Sequence, residues 1–341
     1  MTTAAPLLSA TSVTAGYGLT KRAPAVLHDI SLSMTPGTTL GVVGESGSGK
    51  STLARVLVGQ LVPTVGQVLV DGVDLQQLSR AERRLARRDV QLIPQDPYAS
   101  LDPRMTIGET LLEALDPAGG PMSRYASRIA ELLETVSLDS AVAARLPHEF
   151  SGGQRQRVAI ARALAVEPKL IIADEVTSAL DASIQAEILD LLKTLRREKD
   201  LACIFVTHDL AIAADMCDEI AVLYLGRIVE HGPVPILRAP QHPYTRLLVD
   251  SVPDPYGAFL TASAHDVITV VEPPDPANPP SGCPFHPRCA VGPQVREGRS
   301  DCVEVLPLLE VTDARHPASQ AACHHPLRSS REHAVPGQSV H

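Results

Sequence analysis

Gly44-Glu45-Ser46-Gly47-Ser48-Gly49-Lys50-Ser51 is the stretch that decides the reading of this chain. It fits the pattern G-x-x-x-x-G-K-[ST]. Before it, Thr39-Leu40-Gly41-Val42-Val43 predicts a short buried strand. After it, Leu53, Val56, Leu57 and Leu61 recur at a helical period, which predicts a helix over Lys50 to Leu61. Glycines between strand and helix let the backbone wrap closely around phosphate oxygens, with N–H groups turned inward. The helix start adds positive potential. Lys50 is then the group that reaches the terminal phosphates, and the Ser51 hydroxyl the group that ligates Mg2+. Gly44, Glu45, Ser46, Gly47, Ser48, Gly49, Lys50, Ser51 and Thr52 together make the candidate cradle.

Further along, Leu170-Ile171-Ile172-Ala173 is an apolar run of strand length that ends in Asp174 and Glu175. Carboxylates at the carboxyl end of a parallel strand face the usual ligand crevice. Asp174 there can hold Mg2+, and Glu175 can orient and deprotonate a water. Ile184, Ile188, Leu191, Leu192 and Leu195 share one helical face. Leu201 to Val206 is another β-rich run, and Ile220 to Tyr224, Leu225-Gly226 and Arg227 to Val229 predict a hairpin. Strands apolar on both faces and alternating with helices imply an α/β fold with a parallel sheet covered on both sides.

The 341 residues suffice for one sizeable core and an extra module. Apolar residues make up 44% and charged residues 20%, a globular balance. The net charge of −9 argues against a general nucleic-acid binder. Arg80 to Arg88 alternates with apolar residues and reads as a solvated helix face. No run reaches the ~18 apolar residues of a membrane helix. Met1 to Ala15 lacks the features of a secretory signal. The expectation is a cytosolic chain whose membrane role, if it has one, comes through a partner. Prolines crowd after about residue 250, at Pro253, Pro255, Pro273, Pro274, Pro276, Pro279 and Pro280. That density resists helix and central strand. Residues 1–250 read as one domain, 251–326 as a loop-rich module, and the end from about Leu327 as disordered.

Between the two acidic and glycine sites stands Ser151-Gly152-Gly153-Gln154-Arg155-Gln156-Arg157, which closely resembles the signature of ABC ATPases. The rest of that family's motifs follow in order over about residues 10 to 250. The resemblance implies a P-loop NTPase fold: a RecA-like parallel core, an antiparallel β subdomain and an inserted helical subdomain at about 97–165. It implies ATP with Mg2+ as ligands. Tyr17 resembles the aromatic that stacks on adenine, with simple packing as the alternative. Gln95 resembles the Q-loop glutamine, which also approaches the metal. Ser178-Ala179-Leu180-Asp181 resembles the D-loop, and His208 the switch histidine beside the γ-phosphate. Ser151, Gly153 and Gln154 would complete the site of a second ATPase subunit across a head-to-tail dimer. Lys50, Gln95, Glu175 and His208 are the catalytic set the resemblance implies. Val176 stands where the family usually has proline, and Phe150 where it commonly has leucine; neither removes a catalytic group.

Two further stretches resemble the peptide and nickel importer branch. They are Gln95 to Arg104, with Asp102 in place of the usual asparagine, and His242-Pro243-Tyr244-Thr245-Arg246-Leu247-Leu248. That branch implies two transmembrane permease subunits, a paired ATPase of the same or a different chain, an extracytoplasmic substrate-binding protein, and a position on the cytoplasmic face of the membrane. A peptide cargo is the expectation, with nickel or another small solute as the alternative. A soluble ABC ATPase acting on ribosomes or DNA is the rival class. It fits less well, because one cassette is present and only about a hundred residues separate Lys50 from Ser151, too few for a long coiled coil.

Cys283, Cys289, Cys302 and Cys323 are spaced Cys-x5-Cys-x12-Cys-x20-Cys, and this tail too resembles the branch. The irregular spacing and Pro284 lean toward a [4Fe-4S] cluster on these four thiolates. A zinc site remains open, of four cysteines or of three with a histidine from His286, His324 or His325. So does a metal-free small core. Cys203, in a buried strand, and Cys217, in the helix after it, are assigned to packing.

Overall fold

The computed structural model describes residues 5–18, 24–178, 180–252, 274–276, 278–314 and 317–327. Pro253, Pro255, Pro273, Ala179 and the end expected to be disordered, from residue 328 on, lie outside them. The main sheet has eight strands. In spatial order they are β11 (Glu310–Val311), β12 (Gln320–Ala321), β10 (Arg227–Pro233), β9 (Glu219–Tyr224), β3 (Thr39–Val43), β8 (Ala202–Thr207), β7 (Leu170–Asp174) and β6 (Val90–Ile93). From β9 to β6 neighbouring strands run parallel. A smaller antiparallel sheet has the order β2 (Leu27–Met34), β1 (Leu8–Ala15), β4 (Val65–Val70) and β5 (Val73–Asp74).

Every residue of β3, β7 and β8 is buried. The reason is visible in β7. Leu170 and Ile172 pack with α1 (Lys50–Leu57) and the small sheet on one face. Ile171 and Ala173 pack with the helices on the other. Those helices are α4 (Ile107–Leu115), α5 (Met122–Thr135), α6 (Gly152–Leu164), on which α3 (Pro97–Ser100) packs, and α7 (Ala182–Lys199). Ile188, Leu192 and Leu195 form the buried stripe of α7, with Ile184 and Leu191 partly covered. Helix α2 (Arg80–Asp89) buries none of its residues, as a solvated arginine face requires. Among the described residues no helix is long and apolar enough to cross a membrane.

Three local expectations shift. The helix after the glycine loop stops at Leu57, because Gly59 takes a positive φ of 68° and turns the chain. The strand expected over 201–206 runs one residue later. Cys217 caps the end of α8 (Leu210–Met216) rather than lying within it. The hairpin stands, with Leu225 and Gly226 both at positive φ (43° and 74°), the backbone a two-residue turn between twisted strands requires.

The C-terminal segment is less separate than its composition suggests. Strand β12 pairs with β10, matching Glu230 to Ala321 and His231 to Gln320, so residues past 300 extend the main sheet. Helix α9 (Pro243–Asp250) and Phe285 share a core with β9 and β10. The same segment also carries α10 (Asp301–Glu304) and a single 3-10 turn, His286–Arg288.

Candidate nucleotide site

The glycine loop leaves β3 and enters α1 at the carboxyl end of the parallel strands. Gly44 passes so close to the neighbouring strand that a Cβ there would lie 2.2 Å from the Leu223 carbonyl oxygen. Gly49, at φ +105°, starts α1. Lys50 is only 4% exposed; its Nζ donates to the carbonyls of Gly44 (2.9 Å) and Glu45 (3.0 Å). The ammonium is thereby held inside the loop's curve. Ser48 Oγ is buried there without a protein partner, an orphan that suits a phosphate oxygen. Ser46 and Gly47 form the exposed rim.

Ser51 Oγ donates to Asp174 Oδ1 at 3.0 Å, so two hard oxygen ligands meet at the end of β7 and fit a Mg2+ ion. Burial pushes the Asp174 carboxyl above its ordinary range. Glu175 follows with φ +45°, an uncommon backbone for a non-glycine residue and one that is held only where surroundings fix it. Its N–H donates to the Val206 carbonyl at 2.9 Å. Its carboxylate then collects three groups: Gln95 Nε2 donates at 2.8 Å, and Lys50 Nζ and His208 Nδ1 each lie 3.5 Å away. Ser178 closes the ring, donating to the Glu175 carbonyl (3.0 Å) and lying 3.4 Å from Gln95 Nε2. His208 stands after β8 with a side chain 60% exposed, free to meet a ligand.

Lys50, Ser51, Gln95, Asp174, Glu175, Ser178 and His208 thus form one continuous constellation. Tyr17 lies at its edge. Its hydroxyl shares a 3.3 Å hydrogen bond with Thr52 and accepts one from Arg55 (3.1 Å), and its ring is 49% exposed. The signature residues are elsewhere. Ser151 caps α6, its hydroxyl accepting the Gln154 N–H while the Gln154 side chain accepts the Ser151 N–H. Gly153 is pressed against α7, where a Cβ would meet Ile184 at 2.5 Å. Among the described residues, no bond joins Ser151, Gly153 or Gln154 to the glycine loop.

The four C-terminal cysteines come together. Cys283, Cys289, Cys302 and Cys323 line one small cavity with His286, His324 and His325, and all are free thiols. Burial raises each thiol, Cys283 and Cys302 to about 11 and Cys323 to about 12. Among the described residues, the ligand atoms of Asp301, Cys302 and His325 lie within 4.8 Å of one another, close enough to hold a metal ion. His286 Nδ1 donates to the Cys283 carbonyl (2.9 Å), and His324 Nε2 to that of Val305 (2.8 Å). Sequence reasoning missed Ser178 as a partner of Gln95, and Tyr244 and Arg288 as neighbours of the glycine loop. Ser178 and Tyr244 lay inside quoted motifs and Arg288 between Cys283 and Cys289, yet no local pattern reveals a contact across the chain.

Residues 27–178 match the family described as ABC transporter, and residues 229–294 the family described as oligopeptide/dipeptide transporter, C-terminal region. The oligopeptide transport ATP-binding protein OppF of Salmonella typhimurium is 46% identical over 285 residues, covering 82% of this chain and 83% of its own. The chain belongs to the ABC transporter ATPases. A Brucella ovis protein named as a peptide import ATP-binding protein is 45% identical to this ABC ATPase over 307 residues, 87% of this chain and 96% of that one. A dimeric post-hydrolysis structure of the ATP-binding cassette MJ0796, bound to ADP and Pi, superposes with a TM-score of 0.60 at 31% identity. It covers 67% of this chain and 98% of that cassette. Hydrolysis of ATP is the activity of this family.

Proposed function

We propose that this ABC ATPase is the motor subunit of a peptide importer, closing head-to-tail with a second ATPase subunit on two molecules of MgATP. The observation that carries the reading is the Glu175 carboxylate, held at once by Gln95, Lys50 and His208. Lys50 and the glycine-loop N–H groups neutralise β- and γ-phosphate charge. Ser51 and Asp174, with Gln95 adjacent, would hold Mg2+, which would supply further charge neutralisation. Glu175 orients and deprotonates the attacking water, and His208 holds the γ-phosphate. Tyr17 stacks on the adenine. Ser151, Gly153 and Gln154, at the start of α6, complete the partner subunit's site. The pair is two copies of this chain or two related ones, and it docks on two transmembrane permease subunits at the cytoplasmic face. An extracytoplasmic binding protein delivers the peptide. Support for a peptide cargo is the match of residues 229–294 and the names of the relatives. Reconstituted with its permeases and binding protein, the transporter should take up a short peptide only with hydrolysable ATP. Uptake of nickel without peptide would replace the cargo assignment, and ATPase activity responsive to ribosomes would remove the transport reading.

For the C-terminal module the same proposal places a [4Fe-4S] cluster on Cys283, Cys289, Cys302 and Cys323, with Zn2+ as the rival. What supports the cluster is that four cysteines from separate stretches of the chain line one cavity. The cluster would staple a segment that has little regular structure of its own. Protein purified without air should carry iron and acid-labile sulfide, and lose both with Cys289→Ser. Zinc without sulfide would establish the rival.

A further inference from the structure

Arg288 sits immediately before Cys289, in the short turn His286–Arg288 of the cysteine module. Its guanidinium crosses to the glycine loop, 243 residues away in sequence. Nη1 donates to Glu45 Oε2 at 2.8 Å and Nη2 to Glu45 Oε1 at 2.9 Å, a two-pronged pair of the strong kind. The Arg288 side chain is 9% exposed and that of Glu45 29%. The guanidinium carbon lies 5.8 Å from the Tyr224 ring centre and 5.7 Å from that of Phe285, within cation–π reach of both. The Tyr244 hydroxyl accepts the Glu45 N–H at 2.8 Å. Thus both the backbone and the carboxylate of Glu45 are gripped from the C-terminal side, while its carbonyl accepts from Lys50.

Glu45 is the second residue of the loop, and a carboxylate there is an electrostatic liability. The loop's task is to bind a polyanion, and an unpaired negative charge beside it repels that polyanion. We propose that Arg288 is a positioning residue for ATP binding: lent by the cysteine module, it neutralises the Glu45 carboxylate and pins it away from the phosphates. The inference rests on the reading of the loop as the nucleotide site. It also links the module to the motor, since whatever displaces the turn between Cys283 and Cys289 withdraws the guanidinium from the loop.

The test is equilibrium binding of a fluorescent ATP analogue with Mg2+ to the full chain, with melting curves as the check on folding. Arg288→Ala should weaken binding about tenfold, which is about 1.4 kcal/mol, and more at low salt than at high. Glu45→Gln removes the carboxylate and leaves the Arg288 charge uncompensated beside the loop, so it should tighten binding by about twofold to threefold. The double variant should recover to within about threefold of Glu45→Gln, because the repelling charge is gone. Arg288→Lys should recover part of the loss, as a point charge without the fork. In steady state Arg288→Ala should raise KM for ATP and leave kcat within about threefold. Wild-type affinity in Arg288→Ala would overturn the proposal, and so would a double variant as weak as Arg288→Ala, which would reduce Arg288 to a structural anchor. If Arg288→Ala fails to fold, Arg288→Met takes its place, keeping the apolar stem and removing the charge. Binding by wild type that ignores Lys50→Ala would instead sink the nucleotide-site reading, an outcome distinct from either.

Discussion

The glycine loop and the cysteine module lie against the same sheet, yet they are built by opposite means. The loop joins a fully buried strand to a helix, and the groups proposed to act with it come from strand ends: Asp174 and Glu175 at the end of β7, His208 after β8, Gln95 after β6. The module has two-residue strands, a four-residue helix and a short turn, and it is held by single anchors such as Arg288 on Glu45 and β12 on β10. A site on rigid elements has its geometry set by the fold; a site on loops needs cross-links. The largest test of the contrast is Glu175→Gln. It should keep ATP binding and lower turnover by about 10³-fold, within the range for a general base, with little loss of stability. Wild-type-like hydrolysis would remove Glu175 from the base role and break the loop's half of the comparison.

Two glycines sharpen it at the next level. Gly226 lies under the loop: its N–H donates to the Ser48 carbonyl and its carbonyl accepts the His28 N–H, both at 2.8 Å. Its φ is +74°, and a Cβ would fall 1.9 Å from the Val26 carbonyl oxygen. Gly226→Ala should cost about 3 kcal/mol or more in urea unfolding and weaken nucleotide binding, because the backbone must move where the two sheets meet. Gly298, in the module, has nearly the same φ of +79° but nothing within 4 Å of the added carbon. Gly298→Ala should cost only the backbone strain, about 1 kcal/mol, and leave nucleotide binding alone. Equal losses in the two variants would mean that space around the glycine is not what separates the regions.

The same contrast explains what could be read from sequence. The loop, the β7 carboxylates and the α6 cap each depend on residues within about ten positions, so their motifs carried the geometry. The paired partners Glu45 and Arg288 are 243 residues apart; a bidentate contact at that separation leaves no period and no spacing. Strands of two residues, such as β11 and β12, have too little sequence to alternate, so the extension of the main sheet past residue 300 was illegible. Helix α1 was read four residues too long because Leu61 fits the helical period; the turn at Gly59 outweighs it. The cysteines were legible as a group through their chemistry, while their shared cavity came only from the fold.

The smallest effect belongs to the seam between the two regions. Glu230 in β10 is fully buried, opposite Ala321 of β12, and its carboxylate accepts the N–H groups of Gln241 (2.8 Å) and His242 (3.0 Å). Burial raises its pKa from 4.5 to about 7, although these two hydrogen bonds pull the other way. Between those values the folded chain keeps a proton that the unfolded chain has lost. Stability from this group is therefore full below about pH 4.5 and falls as pH rises toward 7. His242, buried and neutral down to about 3, contributes the opposite slope on the acid side. Glu230→Gln removes the first contribution and keeps the second, so the difference between variant and wild type isolates Glu230. Relative to wild type, the variant should gain about 1–2 kcal/mol between pH 5 and pH 8, an upper bound being 1.36 kcal/mol per pKa unit. It should do so without altering ATP binding, since Glu230 faces the module side of the sheet. A difference that stays flat across that range would mean the two backbone donors hold the carboxylate charged. The seam would then be stabilised by a buried anion at the start of α9 instead of weakened by one.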